Sequence, residues 1–377
     1  MNIPQLLKEH HWLLETLREL GFSSDIPAIT RMLGSGALLQ PNNISFLERS
    51  CAKYASGEKF TSEDWDGITV DRRLLQVVLS AFFTRMIRVR HAELKLPAAV
   101  TAETSQAIGN ELFEAFAGYP EPLWHKLGWT SRYYTATMFK TGIFVYNIEP
   151  TSEKLPVWAY RESVTGKVIA LASDGLAVDE QGLICQKEME PTWHTTLRHT
   201  STTVSGNYID PTGYITKRRV TLALEAWENI LAPAKMTAAI HIPAGRAMIS
   251  ADCGASMRSV AQILRKYLPH LGVRCITCMS WVFSPDWLTL LPESNMAQVM
   301  REVYLFPIYS APTAGINFVF RKPPEELDLQ TAPRQTRLQR IMLERLEQKK
   351  PLYAGGMFML LEDVDRYGSQ HYHSASL

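Results

Sequence analysis

The sequence predicts an α+β protein, in which a helical amino-terminal half precedes a mixed α/β half. Apolar residues recur at helical spacing from residue 4 to about residue 132. From about residue 141, short β-branched and aromatic runs are separated by prolines and glycines, as in an antiparallel sheet. After residue 223, strand and helix patterns alternate, which is typical of a compact α/β core.

Length and charge limit the classes of function. A chain of 377 residues suits two moderate domains, each able to bury its own core. Lys and Arg together number 39 against 38 Asp and Glu, and no long run carries a single sign. Because a protein that holds nucleic acid through its phosphates needs a basic surface, we expect no nucleic-acid partner.

The cellular compartment is indicated by the first residues and by the cysteines. The chain reaches a charge by Lys8 without a basic-then-apolar signal pattern, and it contains no run of about 18 apolar residues. We therefore expect a cytoplasmic protein with no membrane partner. The cysteines are scattered and odd in number, which fits a reducing compartment. They are Cys51, Cys185, Cys253, Cys275 and Cys278.

The helical half is clearest in two amphipathic stretches. Their apolar residues are Leu74, Val77, Val78 and Phe82 in the first stretch and Ile108, Leu112, Phe113 and Phe116 in the second. Beyond residue 141 five runs predict an antiparallel meander: G-I-F-V-Y-N-I, V-W-A-Y-R, K-V-I-A-L-A-S, W-H-T-T-L-R-H-T and Y-I-T-K-R-R-V-T-L. The segment S-G-N-Y-I-D-P-T-G is expected to form the turn between the last two runs.

The α/β core is predicted from the pattern after residue 223. Its expected elements are a short helix through Trp227, a strand at 237–243, a helix at 251–268, a strand at 273–283, a helical stretch, and strands at 303–309 and 316–321. A right-handed crossover would set the first two strands side by side. A proline-rich link then leads to an amphipathic helix at 338–346 and a polar end.

The C-x-x-C at Cys275 and Cys278 has three interpretations. In a strand, residues three apart point to opposite faces, so the two thiols would not ligate one metal ion. No second Cys or His pair lies nearby at zinc spacing. We therefore expect two buried, small apolar side chains and no metal, with a zinc site and a redox dithiol as the alternatives.

The segment H-I-P-A-G-R, residues 241–246, is a candidate anion loop. A strand that leads through a glycine-containing loop into a helix presents free backbone N–H groups at the positive helix end, which suits a phosphate or pyrophosphate. Arg246 would add charge. The alternative is a plain turn. His241, near the end of the strand, is either a structural hydrogen-bonding residue or a general base.

Other motifs give little further indication of function. Ser294 or Asn295 is expected to cap the helix that follows. Ser280 lacks the G-x-S-x-G context of a serine hydrolase nucleophile. The chain also lacks the phosphate loop G-x-x-x-x-G-K-[ST], the metalloprotease motif H-E-x-x-H and the calcium-binding EF-hand loop.

The amino-acid sequences of several segments resemble those of a known family. These segments are W-H-T-T-L, V-S-G-N-Y-I-D-P-T-G-Y-I, V-T-L-A-L-E-A-W-E-N-I-L-A-P, I-H-I-P-A-G, C-M-S-W-V-F-S-P and L-L-P-E-S-N, with G-W-T-S-R-Y-Y-T-A-T-M-F-K-T-G upstream. They resemble bacterial acyltransferase-domain proteins, which pair an N-acyltransferase N-terminal domain with a GNAT-like C-terminal domain. The resemblance covers about residues 112–320.

The resemblance implies domains at 1–140 and 141–322, with a carboxy-terminal extension at 323–377. It also implies that the strands at 237–243 and 273–283 splay apart to admit acyl-CoA, with the loop at 244–250 around the pyrophosphate. The usual loop pattern, Q/R-x-x-G-x-G/A, is not present, and relatives often have His where this chain has Met279. The residues left for the cofactor are Gly245, Arg246, Ser250 and Gly254.

The leading hypothesis from the sequence is an acyl-CoA-dependent N-acyltransferase that acts on a small amine. Such an enzyme needs a base for the ammonium group, donors for the oxyanion and an acid for the leaving thiolate. We assign His241 as the base, and Cys278, Ser280 or Tyr304 as the acid or positioning group. The alternatives are a non-catalytic protein that binds acyl-CoA, another metabolite or a protein partner, and a thiol-redox enzyme. The sequence does not indicate an oligomeric state.

Overall fold

The computed structural model describes residues 1–58, 60–118, 129–185, 191–243, 245 and 247–374, with the backbone alone at 62 and 112–118. The chain forms two compact units, Met1–Asn147 and Ile148–Leu377. Within the described residues, no helix is both long and apolar enough to cross a membrane.

The first unit is mainly helical, as predicted. Its elements are α1 Ile3–Lys8, α2 His11–Glu19, α3 Ile26–Gly34, α4 Pro41–Ser56, α5 Arg72–Glu93, α6 Ala98–Gly118, α7 at 129–134 and the hairpin strand β1 Met138–Thr141. Polar caps set some of the helix starts: the side chain of Asp71, for example, accepts a hydrogen bond from the backbone N–H of Leu74, at 2.8 Å. In the core, Tyr54 stacks on Phe83 with 3.9 Å between ring centroids, and its hydroxyl donates to the carbonyl of Thr130.

The second unit begins within strand β2, Phe144–Pro150, and contains two larger sheets. The strands of the first half are β3 Val157–Glu162, β4 Val168–Ala172, β5 Ala177–Val178, β6 Trp193–His194, β7 Leu197–His199, β8 Thr203–Ile209, β9 Ile215–Ala223 and β10 Trp227–Leu231. One sheet has the order β10-β3-β4-β8-β7, with β9 also paired to β8, and β5 pairs with β6. Every pair in these two sheets is antiparallel, as predicted. The first of the predicted runs, G-I-F-V-Y-N-I, forms β2 and belongs to the other sheet instead.

The other sheet contains the α/β core. Its elements are β11 Met236–His241, α8 Ser250–Tyr267, β12 Cys275–Ser280, α9 Trp287–Leu290, α10 Asn295–Met300, β13 Tyr304–Pro307, α11 Ile316–Phe320, α12 Arg337–Glu347, β14 Gly355–Leu360 and α13 His371–Ser374. Within this unit the strand order is β11-β12-β14-β13. Strands β11 and β12 are parallel and α8 connects them, as predicted. The apolar stripe of α8 is buried at Met257, Val260, Ile263 and Leu264.

Three local predictions were wrong. The segment through Trp227 is strand β10 rather than a helix, and 316–321 is helix α11 with a following turn rather than a strand. The residues S-G-N-Y-I form part of strand β8, so the turn is confined to 210–213, where the N–H of Gly213 donates to the carbonyl of Asp210. Strand β14, between β12 and β13, was not identified from the sequence.

Candidate active site

Strands β11 and β12 separate at one end. Their parallel register runs from Thr237 and Cys275 to Ala239 and Thr277 and stops there. Strand β12 continues beside β14 as far as the pair Ser280 and Gly355. Beyond Ala239, strand β11 is therefore no longer paired with β12, and a gap opens between the two strands.

A cavity of about 500 Å³ lies at this separation. One wall comes from the end of β11 and the loop that follows, and the other from the end of β12, the start of α10 and α11. The described lining residues are Ile240, His241, Ile242, Pro243, Gly245, Met248, Cys278, Met279, Ser280, Trp281, Val282, Asn295, Met296, Phe318 and Arg321. None of these residues is acidic, and most are apolar, so the cavity suits a ligand with a large apolar part.

His241 and Ser280, two of the predicted catalytic residues, line this cavity. His241 is the last residue of β11 and is half-buried. Ser280 is the last residue of β12, and its hydroxyl oxygen accepts a hydrogen bond from the N–H of Val282, at 3.4 Å. Because Ser280 uses an acceptor site in this contact, its O–H remains able to donate to a ligand.

Cys278 lies at the base of the separation between the strands. Its thiol donates to the carbonyl of Ile240, at 3.4 Å, and burial raises the pKa of the thiol to about 12. A thiol of that pKa is a weaker acid than an ordinary thiol such as that of CoA, so it would not readily protonate a departing CoA thiolate. The contact with Ile240 supports a structural role.

Tyr304, in β13, is buried and does not line the cavity. Its hydroxyl donates to the carbonyl of Ile209, at 2.5 Å, and accepts from the N–H of Ala170, at 3.4 Å. Burial raises the pKa of this hydroxyl well above its ordinary value. Tyr304 thus joins the two sheets of the second unit.

The predicted pyrophosphate loop is described in part. Ala244 and Arg246 lie outside the described residues, so the prediction for Arg246 stays a prediction. Gly245 is exposed and has a φ of +82°, a conformation that glycine adopts without strain. Helix α8 begins at Ser250, and the preceding Ile249 provides no side-chain cap, which leaves first-turn N–H groups for an anion.

Ser250 and Gly254 both contact Tyr367. The Oγ atom of Ser250 lies 3.1 Å from the Tyr367 hydroxyl, and a Cβ atom added to Gly254 would lie 2.5 Å from the Tyr367 ring. Neither residue lines the cavity. The glycine therefore lets the tyrosine ring pack closely against the helix.

The two cysteine thiols of the C-x-x-C donate hydrogen bonds to different backbone carbonyls. The thiol of Cys275 donates to the carbonyl of Ile230, whereas that of Cys278 donates to Ile240. Both cysteines are free and buried. Among the described residues, no cluster of three or more potential metal ligands occurs.

Sequence analysis did not identify the aromatic and basic part of the cavity. Trp281, Phe318 and Arg321 come from two segments 35 or more residues apart, and α11 was predicted as a strand. A possible signal was Gly315 before I-N-F-V-F, because a glycine beside a short apolar run also suits a helix end. The predicted cap at Ser294 is confirmed, since its Oγ accepts from the N–H of Ala297.

Comparison with known families agrees with this geometry. The model of the GNAT-like C-terminal domain matches residues 160–358, which is more than half of the chain. The chain belongs to the GNAT-like C-terminal domain family. The predicted GNAT-like C-terminal domain and the predicted α+β fold class are thereby confirmed. No curated protein sequence matches the chain significantly.

The solved structures that are similar to this chain are distant from it in sequence. An acyltransferase in complex with decanoyl-CoA is 16% identical, with 83% of this chain and 76% of that chain covered and a TM-score of 0.49. An acyltransferase in complex with decanoyl-CoA and teicoplanin is 15% identical, with coverages of 86% and 77% and a TM-score of 0.47. A mutant acyltransferase with octanoyl-CoA is 14% identical, with coverages of 76% and 66% and a TM-score of 0.45, so the chain spans slightly less than two thirds of that protein.

Proposed function

We propose that the protein is an acyl-CoA-dependent N-acyltransferase whose reaction takes place in the cavity between β11 and β12. The observation that supports this most is the separation of two parallel strands after Ala239 and Thr277, in a chain of the GNAT-like family. The separation lies beside a cavity whose lining is apolar apart from a few polar groups. Such a lining suits an uncharged thioester and its acyl chain.

In the proposed reaction the amine nitrogen attacks the thioester carbonyl. A C–N bond forms, the C–S bond breaks, and the proton released by the amine is finally taken up by the CoA thiolate. His241, at the end of β11, is the proposed base that accepts the amine proton. The hydroxyl of Ser280 is the proposed donor that orients the acceptor or hands a proton to the thiolate.

The phosphates of CoA are proposed to lie at the amino-terminal end of α8. The uncapped first turn supports this, because its N–H groups and the helix dipole attract an anion. The exposed carboxylate of Asp252 in the same turn opposes it. Gly245 and Arg246 are proposed to complete the loop. Ser250 and Gly254 are proposed to act indirectly, by holding the first turns against Tyr367.

The proposed activity is tested by thiol release. The purified protein is incubated with acetyl-CoA or octanoyl-CoA and a pool of primary amines, and free CoA is followed with a thiol reagent while mass spectrometry identifies acylated amines. Amine-dependent thiol release with a matching amide product is the expected result. Saturable acyl-CoA binding without thiol release would instead support the second candidate.

The second candidate is a non-catalytic protein that binds acyl-CoA or another metabolite in the same cavity. Two observations favour it. The loop lacks the glycine pattern usual in GNAT-type enzymes, and Ser250 and Gly254 contact Tyr367 rather than the cavity. A binding protein needs the cavity but not a base, so His241 would be dispensable in this case.

A further inference from the structure

One end of the cavity is formed by Trp281, Phe318 and Arg321. The rings of Trp281 and Phe318 stack at 6.5 Å between centroids with an interplanar angle of 21°. Phe318 is 69% exposed although it is a large apolar residue, so the stability of the fold does not account for its position. An exposed aromatic ring at the mouth of a cavity is suited to contact a ligand.

Trp281 is held in place from two sides. A Cβ atom added to Gly315 would lie 2.8 Å from the indole ring, so the glycine allows the backbone before α11 to pack against it. The indole N–H of Trp287 donates to the carbonyl of Trp281, at 2.8 Å. The aromatic wall is therefore preorganised rather than formed on binding.

Arg321 brings a positive charge to the same wall. It is exposed, has a φ of +57°, and its N–H caps α11 by donating to the carbonyl of Asn317, at 3.1 Å. Among the described residues, no carboxylate lies within ion-pair distance of its guanidinium group.

We propose that Trp281, Phe318 and Arg321 form the acceptor subsite, and that the acceptor is a hydrophobic α-amino acid. Arg321 binds the carboxylate through its paired N–H donors, and the two aromatic rings contact the side chain. The amino group then faces the part of the cavity that His241 lines. This inference rests on the proposed function, since it names the substrate class of the same site.

The CoA phosphates are the competing source of negative charge for Arg321. The subsite is assigned to the acceptor because Arg321 belongs to the wall formed by α11 and the end of β12. The loop that follows β11 contributes Gly245 and Met248 to the opposite wall, and it leads into the uncapped end of α8. The aromatic rings beside Arg321 also suit an apolar side chain better than a pyrophosphate.

The test uses N-acetyl-L-phenylalanine, which resembles an acylated product and needs no CoA to bind. Calorimetry compares the affinity for this acid with that for N-acetyl-L-phenylalanine amide, which lacks the carboxylate. Both compounds are titrated into the unmodified full chain and into the Arg321→Gln variant. Lys322→Gln is the matched control, because it removes the same charge from the adjacent exposed residue, which does not line the cavity. We expect the acid to bind at least tenfold more tightly than the amide, and Arg321→Gln to abolish that preference while Lys322→Gln retains it.

Turnover gives a second measure. The value of kcat/KM for L-phenylalanine should fall at least tenfold in Arg321→Gln, whereas that for phenethylamine and the Kd for acetyl-CoA should change less than twofold. Equal binding of acid and amide, or no binding of either, would overturn the subsite. So would a loss of acetyl-CoA binding in Arg321→Gln with unchanged binding of the acid. Carboxylate binding that depends on Arg321, without any thiol release, would overturn the proposed function and with it the role of the substrate as an acceptor, but it would leave a carboxylate-binding site at Arg321.

Discussion

The Sγ atom of Cys278 lies 3.4 Å from the backbone oxygen of Ile240 and donates a hydrogen bond to it. Each residue is the first one beyond the last pair of the parallel ladder, Ala239 and Thr277. The thiol thus satisfies a carbonyl at the point where β11 and β12 begin to separate. A buried carbonyl without a partner would cost about 1–3 kcal/mol, so this contact removes a cost that the separation of the strands would otherwise carry.

Replacing His241 tests the proposed base. We expect His241→Ala to lower amine-dependent thiol release by about a hundredfold or more, because a positioned general base contributes about 10²–10⁴ in rate. The Kd for acetyl-CoA should change little. His270→Ala is the control, since His270 is exposed and lies outside the cavity. Unchanged turnover in His241→Ala would remove His241 from the mechanism.

The cysteines should be slow to react in the folded protein. All five are buried, and burial raises the pKa of both Cys275 and Cys278 to about 12, so almost no thiolate exists at pH 8. We expect iodoacetamide to label these two residues at least about a hundredfold more slowly in native protein than in denaturant, as measured by peptide mass spectrometry. A disulfide between them after mild oxidation would contradict the structure and favour a thiol-redox enzyme.

Gly254 should be intolerant of a side chain. A Cβ atom there would lie 2.5 Å from the Tyr367 ring, and overpacking of this kind costs about 1–3 kcal/mol of unfolding free energy. Urea unfolding of Gly254→Ala measures this loss, which Tyr367→Leu in the same chain should partly restore. In the control Gly34→Ala, at the end of α3, nothing lies within 4 Å of the added atom. A loss of stability as large in the control would argue against the clash.

Stability should fall between pH 6.5 and pH 4 because of His91. Burial lowers the pKa of this histidine to about 4, against a smaller opposite effect from a hydrogen bond to the Tyr133 backbone. In that pH range the unfolded chain binds a proton that the folded chain does not, so acid favours unfolding. The loss should reach about 2–3 kcal/mol near pH 4.

The measurement is the urea midpoint as a function of pH. In His91→Gln, which keeps a polar group near Thr101, the midpoint should depend less on pH in this range. His270→Gln, at an exposed position, should behave like the original protein. An identical pH dependence in His91→Gln would show that other groups cause the effect.

The sequence predicted the core of the fold because its signals there are regular. The apolar stripe of α8 has helical spacing, and Thr336 with Gln339 forms a capping box at the start of α12. Such helices can be predicted from the sequence because the residues that stabilise each helix lie within the helix itself or next to it. His241 and Ser280 lie in the predicted strands 237–243 and 273–283, and the family resemblance implied that these strands flank the acyl-CoA site.

Strand β14 was missed because its glycines weaken the strand signal. Both glycines have close neighbours: a Cβ atom added to Gly355 would clash with the Phe283 carbonyl oxygen, and one added to Gly356 would clash with the Phe306 ring. Those contacts join residues that are distant in the chain, so no local pattern reveals them. Helix α11 was missed for the same reason. Its β-branched and aromatic residues locally favour a strand, and the contact of the preceding Gly315 with Trp281 joins residues that are distant in the chain.

Binding of acyl-CoA between β11 and β12 is the central claim, and calorimetric titration with acetyl-CoA and octanoyl-CoA tests it directly. Met279→Glu places a negative charge in the cavity. Tyr309→Glu is the control: it adds the same charge at a residue that is equally exposed, 53% in both cases, but does not line the cavity. We expect saturable binding that weakens at least tenfold in Met279→Glu and persists in Tyr309→Glu. Absence of saturable binding to either thioester, or equal binding in both variants, would contradict it.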